Sequence, residues 1–291
     1  MDTLGPIDLH HRGAERVIGC YLLETAEGPA LFDCGPTSDI SALKAGLDSH
    51  GLQLTDVRHL LLSHIHLDHA GATGVLVREH PDLQVHVSEV GAPHLIDPSR
   101  LERSARRLYG EAFDELWGEL AAVPRQNVHV VGARTLGLET FPTTGHASHH
   151  VSYLSDDGTL YAGDAAGVRI QPDDYVAPPT PPPDFDLAAW DRTIDELSRR
   201  APARLALIHF GVVDEPQPHL DQLRGRLHSW TALVSDGATE EQFIAQTTAE
   251  RDRLSGHPEV GEKAMPLWQS YAGIRRYVDK QAELERPETK N

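Results

Sequence analysis

Two cysteines, Cys20 and Cys34, are all that this 291-residue chain carries. That is too few for a disulfide scaffold, and both fall in apolar, strand-like segments, so buried free thiols are expected. Basic residues are scarce too: 26 Lys and Arg stand against 44 Asp and Glu, a formal charge of −18. A surface that tracks a phosphate backbone needs the opposite balance, so nucleic acid is not an expected partner. No run approaches the roughly 20 consecutive apolar residues of a membrane helix, so no membrane partner is expected. The start, Met1-Asp2-Thr3-Leu4-Gly5-Pro6-Ile7-Asp8, has neither the basic region nor the apolar stretch of a secretory signal. With the free thiols, this reads as a protein of the reducing cytoplasm.

What is present is an ordinary globular composition, 40% hydrophobic and 24% charged, enough apolar residue for a real core. Against it stand 18 histidines, an enrichment whose meaning depends on where they cluster.

Val17 to Glu24 reads as a strand that turns at Glu27-Gly28-Pro29 into a second, Ala30 to Cys34, a hairpin pattern. Ser38 or Asp39 can cap a helix with Ile40, Leu43 and Leu47 on one face. The apolar strand His59 to Ser63 follows, then a helix from Ala70 to His80 stopped by Pro81, then the strand Gln84 to Val87. A helical stretch of mixed charge runs from Pro98 to Leu120. Strands resume at Asn127–Val131, Leu138–Phe141, Val151–Leu154 and Thr159–Ala162, each bounded by Gly, Asp-Gly or Pro. The connector Pro178-Pro179-Thr180-Pro181-Pro182-Pro183 is stiff and extended. A helix over Asp186–Arg199 and a core strand over Leu205–Ile208 come after it, and from His219 the chain is helical and amphipathic. There Trp230, Phe243, Trp268 and Tyr271 read as packing residues. Strands in meanders with a helix after each group predict an α+β chain of two stacked sheets with helices outside, a four-layer αββα sandwich. Residues 1–215 form its main domain and residues 216–291 a helical C-terminal extension packed on the same domain.

The histidines cluster where the strand His59 to Ser63 stops, in His64-Ile65-His66-Leu67-Asp68-His69. His64 and His66 alternate across Ile65, so extended backbone points both the same way. Imidazole nitrogens and carboxylate oxygens suit zinc, iron or manganese. A solvated, histidine-rich surface loop would stand alone, whereas a metal site needs ligands from elsewhere. Such ligands exist: Gly145-His146 follows the strand ending at Phe141, Gly163-Asp164 follows Thr159 to Ala162, and His209 closes Leu205 to Ile208. Each stands at the end of an apolar strand, where a rigid element can hold it.

The run His64 to His69 resembles the HxHxDH signature of the metallo-β-lactamase superfamily. Gly145-His146, Gly163-Asp164 and His209 match its remaining motifs in order, over about Val17 to Gly211. The resemblance implies that His64, His66 and His146 bind one metal, that Asp68, His69 and His209 bind a second, and that Asp164 bridges them. Asp33 resembles a carboxylate that orients a ligand histidine through its other ring nitrogen. His150 matches the histidine four places after the ligand and is expected to support the site, while His149 beside it is an extra. The look is of the glyoxalase-II-like and lactonase-like branch, although Gly167 stands where quorum-quenching lactonases carry a Tyr.

Two cations, zinc by expectation and iron or manganese by compatibility, would yield a hydroxide near neutral pH, and Asp68 is the expected catalytic proton carrier. The expected function is hydrolysis of a small ester, lactone or thioester, with a small molecule as partner. An iron-containing redox member, diiron or sulfur dioxygenase, is the alternative, and a nuclease ranks below both. Tyr109, Trp117 and Tyr175 are candidate pocket residues. The stretch Ser99 to Leu120 is either a lid over the metals or the face of a homodimer.

Overall fold

Buried tyrosines tie one sheet to the other. In the computed structural model, which describes residues 5–284, Tyr153 Oη donates to Leu62 O at 2.9 Å and Tyr21 Oη to Leu207 O at 2.9 Å. Both carbonyls belong to the opposite sheet, just before metal-ligand candidates. Between them Phe32 packs edge-on against Tyr153 and tilted against Tyr161, centroids 5.8 and 5.4 Å apart. Rings in such geometry combine large apolar burial with favourable quadrupole contacts.

The first sheet comprises β1 (Ile7–Asp8), β2 (Gly19–Thr25), β3 (Gly28–Phe32), β4 (His59–Leu61), β5 (Gln84–Val87) and β6 (Val128–Val130), in that spatial order. From β3 to β6 neighbours run parallel. The second comprises β7 (Arg134–Thr135), β8 (Leu138–Pro142), β9 (Val151–Leu154), β10 (Thr159–Tyr161), β11 (Arg204–Leu207) and β12 (Gly211–Val213), also in sequence order. All its pairs are antiparallel except β10 with β11. The edge strands β1, β7 and β12 were not expected from sequence, because two or three residues are too short to display alternation.

The first core cluster contains the inner faces of both sheets together with Leu43 and Leu47 of α1 (Ile40–Ser49). Next come α2 (Leu67–Ala70) and α3 (Thr73–Glu79), so the helix expected from Ala70 begins earlier and is broken in two. The stretch expected to be helical to Leu120 divides into α4 (Ala92–Ile96), α5 (Ser99–Tyr109) and α6 (Phe113–Trp117).

The second core cluster joins the other sheet to α7 (Leu187–Arg200), α8 (Pro216–Ser235), α9 (Glu240–Leu254) and α11 (Leu267–Leu284), with the short α10 (Pro258–Ala264) between the last two. Leu220, Leu223, Leu227 and Trp230 of α8 are all buried there, against Phe243 of α9 and Ile274 of α11. The helical tail therefore shares its core with the sheet it covers. Residues 285–291 of the expected extension lie outside the described ones. Cys20 and Cys34 are free and buried, and burial pushes the Cys34 thiol up to about 12, an unreactive state. No helix among the described residues is long and apolar enough to cross a membrane.

Candidate metal centre

Strand ends from both sheets meet at one edge of the sandwich. His64 and His66 leave β4, and α2 presents Asp68 and His69. His146 lies in the β8–β9 loop, Asp164 just past β10 and His209 just past β11. Backbone hydrogen bonds hold the edges together here: Val151 N donates to Ser63 O at 2.8 Å and Gly19 N to Ile208 O at 2.9 Å.

The ring nitrogens converge on two points. His64 Nε2, His66 Nδ1 and His146 Nε2 lie 2.9–3.2 Å from one another. Asp68 Oδ2 lies 3.6 Å from His69 Nε2 and 3.4 Å from His209 Nε2. Asp164 spans the two groups, with Oδ2 3.4 Å from His146 Nε2 and Oδ1 3.3 Å from His69 Nε2. Ligands about 2.1 Å from one tetrahedral ion sit roughly 3.4 Å apart, so the spacing fits one cation in each group.

The far side of these rings explains which nitrogens face inward. His146 Nδ1 donates to Pro179 O at 2.8 Å and His209 Nδ1 to Val17 O at 2.6 Å. A carbonyl oxygen can only accept, so Nδ1 carries a proton and Nε2 is the nitrogen left to face a cation. His69 Nδ1 likewise meets Asp33 Oδ2 at 2.8 Å. His69 Nε2 and Asp164 Oδ1 are buried with no hydrogen-bond partner among the described residues. Buried polar atoms are ordinarily satisfied, and a cation in each group would satisfy these two. The donor set of neutral imidazoles and carboxylates therefore fits a pair of divalent ions.

Electrostatics agree. Burial, reinforced by neighbouring imidazoles, holds His64 and His66 well below the ordinary histidine range, and burial lowers His146 too. Burial opposes charge on Asp164 and Asp68 as well, but His69 and its neighbours outweigh it and hold both carboxyls down, ionised. For His69 and His209 burial is outweighed by Asp164 and Asp68, which raise both rings. Without the cations the two carboxylates keep His69 and His209 protonated; bound cations would displace those protons and leave neutral imidazoles and carboxylates as the donors.

Supporting groups are buried behind the ligands. Asp33 Oδ1 accepts Ser63 N at 2.8 Å, and Oδ2 accepts Ser63 Oγ at 2.7 Å besides His69. Ser63 Oγ also lies 2.9 Å from His64 Nδ1. His150 faces away from the cation positions: its Nε2 accepts the Asp164 amide at 3.1 Å and its Nδ1 lies 2.8 Å from Thr143 Oγ1. Two glycines are required. A Cβ at Gly163 (φ +53°) would stand 2.6 Å from His150 Nε2, and one at Gly145 (φ +129°) 2.5 Å from the Trp190 Cα. Trp190 in α7 is buried and donates Nε1–H to Ala165 O at 2.9 Å, so one side chain braces both the His146 and the Asp164 loops. Sequence reading missed Ser63 and Trp190, although Ser63 stands directly beside the histidine run.

Above the centre lies a cavity of about 380 Å³, a size suited to a small molecule. His66, Asp68, His146 and Asp164 reach it from below. Leu101, Ala105, Leu108 and Tyr109 of α5 form one wall, Met265 and Gln269 another, and Pro181 to Pro183 a third. Tyr109 Oη accepts Gln269 Nε2 at 3.3 Å, and burial raises its phenol so that it keeps its proton. Two expected pocket residues lie elsewhere. Trp117 stacks on His11 at 5.6 Å, behind Tyr109, because α6 is fastened to the loop at Thr37 and Ser38. Tyr175 is buried in the second core cluster with the Arg226 guanidinium 4.2 Å over its ring. Residues such as Met265, Gln269, His94 and Arg100, which do line the cavity, carry no local signal of it.

The sequence model of the metallo-beta-lactamase superfamily matches residues 15–211. The chain belongs to the metallo-beta-lactamase superfamily. Relatives of this metallo-beta-lactamase-fold protein include YobT of Bacillus subtilis (strain 168), 27% identical over 216 residues, 70% of this chain and 88% of that one. Among solved structures, the archaeal superfamily protein ST1585 from Sulfolobus tokodaii superposes with a TM-score of 0.65 at 22% identity, covering 89% of this chain and 93% of that one. Protein TTHA1429 from Thermus thermophilus gives 0.64 at 21% identity, covering 91% and 89%. At these identities the superpositions speak to the fold, a mixed pair of sheets with helices.

Proposed function

We propose that this chain is a dinuclear metal-dependent hydrolase of small esters, lactones or thioesters. The observation that carries the reading is the convergence of inward-facing ring nitrogens on two points bridged by Asp164, with protons held on the far nitrogens. His64, His66 and His146 would hold one ion, Asp68, His69 and His209 the other. Bound there, two divalent ions, zinc by preference, would acidify water and stabilise negative charge on a carbonyl oxygen.

The chain's own residues supply the rest. Asp68 is ionised and borders the cavity, so its carboxylate can take a proton from the attacking water. The apolar wall of Leu101, Ala105, Leu108 and Met265 suits an acyl chain and excludes bulk water. Tyr109, still protonated, offers an O–H to a substrate oxygen on that wall. In this reading α5 is a fixed wall over the metals, and the extension after residue 215 completes the pocket. The substrate is a small molecule, and the acidic surface disfavours nucleic acid. The cytoplasm is the proposed location.

A screen of metal-reconstituted protein over lactones, aryl esters, thioesters and phosphotriesters tests the proposal, with His66→Ala as control. Hydrolysis that His66→Ala abolishes together with bound metal is expected. Stoichiometric iron with a visible spectrum and no hydrolysis would overturn the zinc hydrolase, as would cleavage of structured RNA without ester hydrolysis.

A further inference from the structure

Within Gly145 to His150, His146 faces the cation position and His150 holds the Asp164 amide, but His149 does neither. Its ring borders the cavity. It stacks parallel to His64 at 5.9 Å, interplanar angle 11°, and meets His66 edge-on at 5.4 Å. Ser88 Oγ donates to its backbone carbonyl at 2.7 Å, fixing the residue from behind. The amide of Ile65 approaches its Nδ1 at 3.5 Å. An N–H can only donate, so Nδ1 carries the lone pair and Nε2 the proton. The only hydrogen bond to the ring among the described residues is the one at Nδ1, which leaves Nε2 free on a side chain that lines the cavity.

We propose that His149 is a substrate-binding donor whose Nε2–H hydrogen-bonds the leaving-group oxygen of an ester or lactone. This rests on the hydrolase reading above and narrows its substrate class to oxygen esters. The cations would serve the carbonyl oxygen, so the ester oxygen is the atom left needing a donor. His149 gives up no proton: its N–H stabilises charge growing on oxygen as the acyl–oxygen bond breaks, and the leaving alkoxide takes the proton that Asp68 removed from the attacking water. Sulfur is a poor acceptor, so a thioester gains little from the same contact.

The experiment compares γ-butyrolactone with γ-thiobutyrolactone in zinc-loaded wild type, His149→Ala and His149→Gln. The glutamine amide places an N–H near the position of Nε2. For His149→Ala, kcat on the lactone should fall about 10- to 100-fold, the worth of one hydrogen bond to a charged oxygen. On the thiolactone it should fall no more than about threefold, and His149→Gln should regain most of the lactone rate. Zinc content should be unchanged throughout. Equal losses on both substrates, or none, would overturn the proposal.

A second readout is independent of turnover. Long-range 1H–15N NMR of the zinc-loaded protein should show His149 as the Nε2–H tautomer between about pH 6 and pH 8. Its Nε2 resonance should shift on adding 4-hydroxybutyrate, whose hydroxyl is the leaving-group oxygen of the opened lactone. An Nδ1–H tautomer, or no shift, would sink the assignment. If wild type hydrolyses none of the esters, lactones or thioesters of the screen, the hydrolase reading fails while this measurement still decides on His149.

Discussion

The carboxylate of Asp164 reaches both histidine groups, with Oδ2 3.4 Å from His146 Nε2 and Oδ1 3.3 Å from His69 Nε2. Asp164→Ala should therefore lower bound metal from about two ions per chain to one or fewer, by plasma mass spectrometry. Activity should fall by at least about 100-fold. A variant that kept both ions would remove Asp164 from the bridging role.

Asp33 acts through its neighbours. Its side chain is fully buried and accepts from Ser63 N, Ser63 Oγ and His69 Nδ1. Asp33→Ala leaves those donors without a partner, at a cost of about 3–5 kcal/mol in urea unfolding. Metal affinity should weaken about 10- to 100-fold because His69 loses its orientation. Unchanged affinity in a folded variant would make Asp33 a purely structural residue.

Tyr153→Phe tests the bond that sets the two sheets in register. It removes the hydroxyl that reaches Leu62 O and strands that buried carbonyl, which should cost about 1–3 kcal/mol. The same change at an exposed tyrosine would cost almost nothing. A denaturation midpoint equal to wild type would show that the Tyr153 hydroxyl contributes nothing to holding the sheets together.

His219 gives a pH signature away from the metals. Burial holds its pKa at about 4 while Nε2 donates to Ala166 O at 2.6 Å. The unfolded value is about 6.5, so on acidification the unfolded chain takes up a proton that the folded chain refuses. Stability from this residue is whole above about pH 6.5 and declines as the pH falls toward 4, by about 2 kcal/mol between pH 7 and pH 5. His219→Gln should keep the donor and lose that slope. Urea titrations of both proteins at the two pH values decide it, and parallel slopes would refute the assignment.

Much of the metal centre was legible in the sequence because its signals are local. His64, His66, Asp68 and His69 share one short segment, and His146, Asp164 and His209 each follow an apolar strand. A strand fixes where its end points, so these side chains could be assigned before any packing was known. The strand-and-helix order likewise announced two layers of sheet, although β1, β7 and β12 were too short to show a period. Tertiary structure alone decided the walls of the cavity. Tyr109 borders it while Trp117, from the same charged stretch, stacks on His11, and Tyr175 is drawn into the core beneath Arg226. Met265 and Gln269 arrive from the helical tail, far along the chain from the histidine run. Which side chains meet across separate helices depends on packing geometry and on loop anchors such as Thr37 and Ser38, and no residue pattern within a single element contains that information.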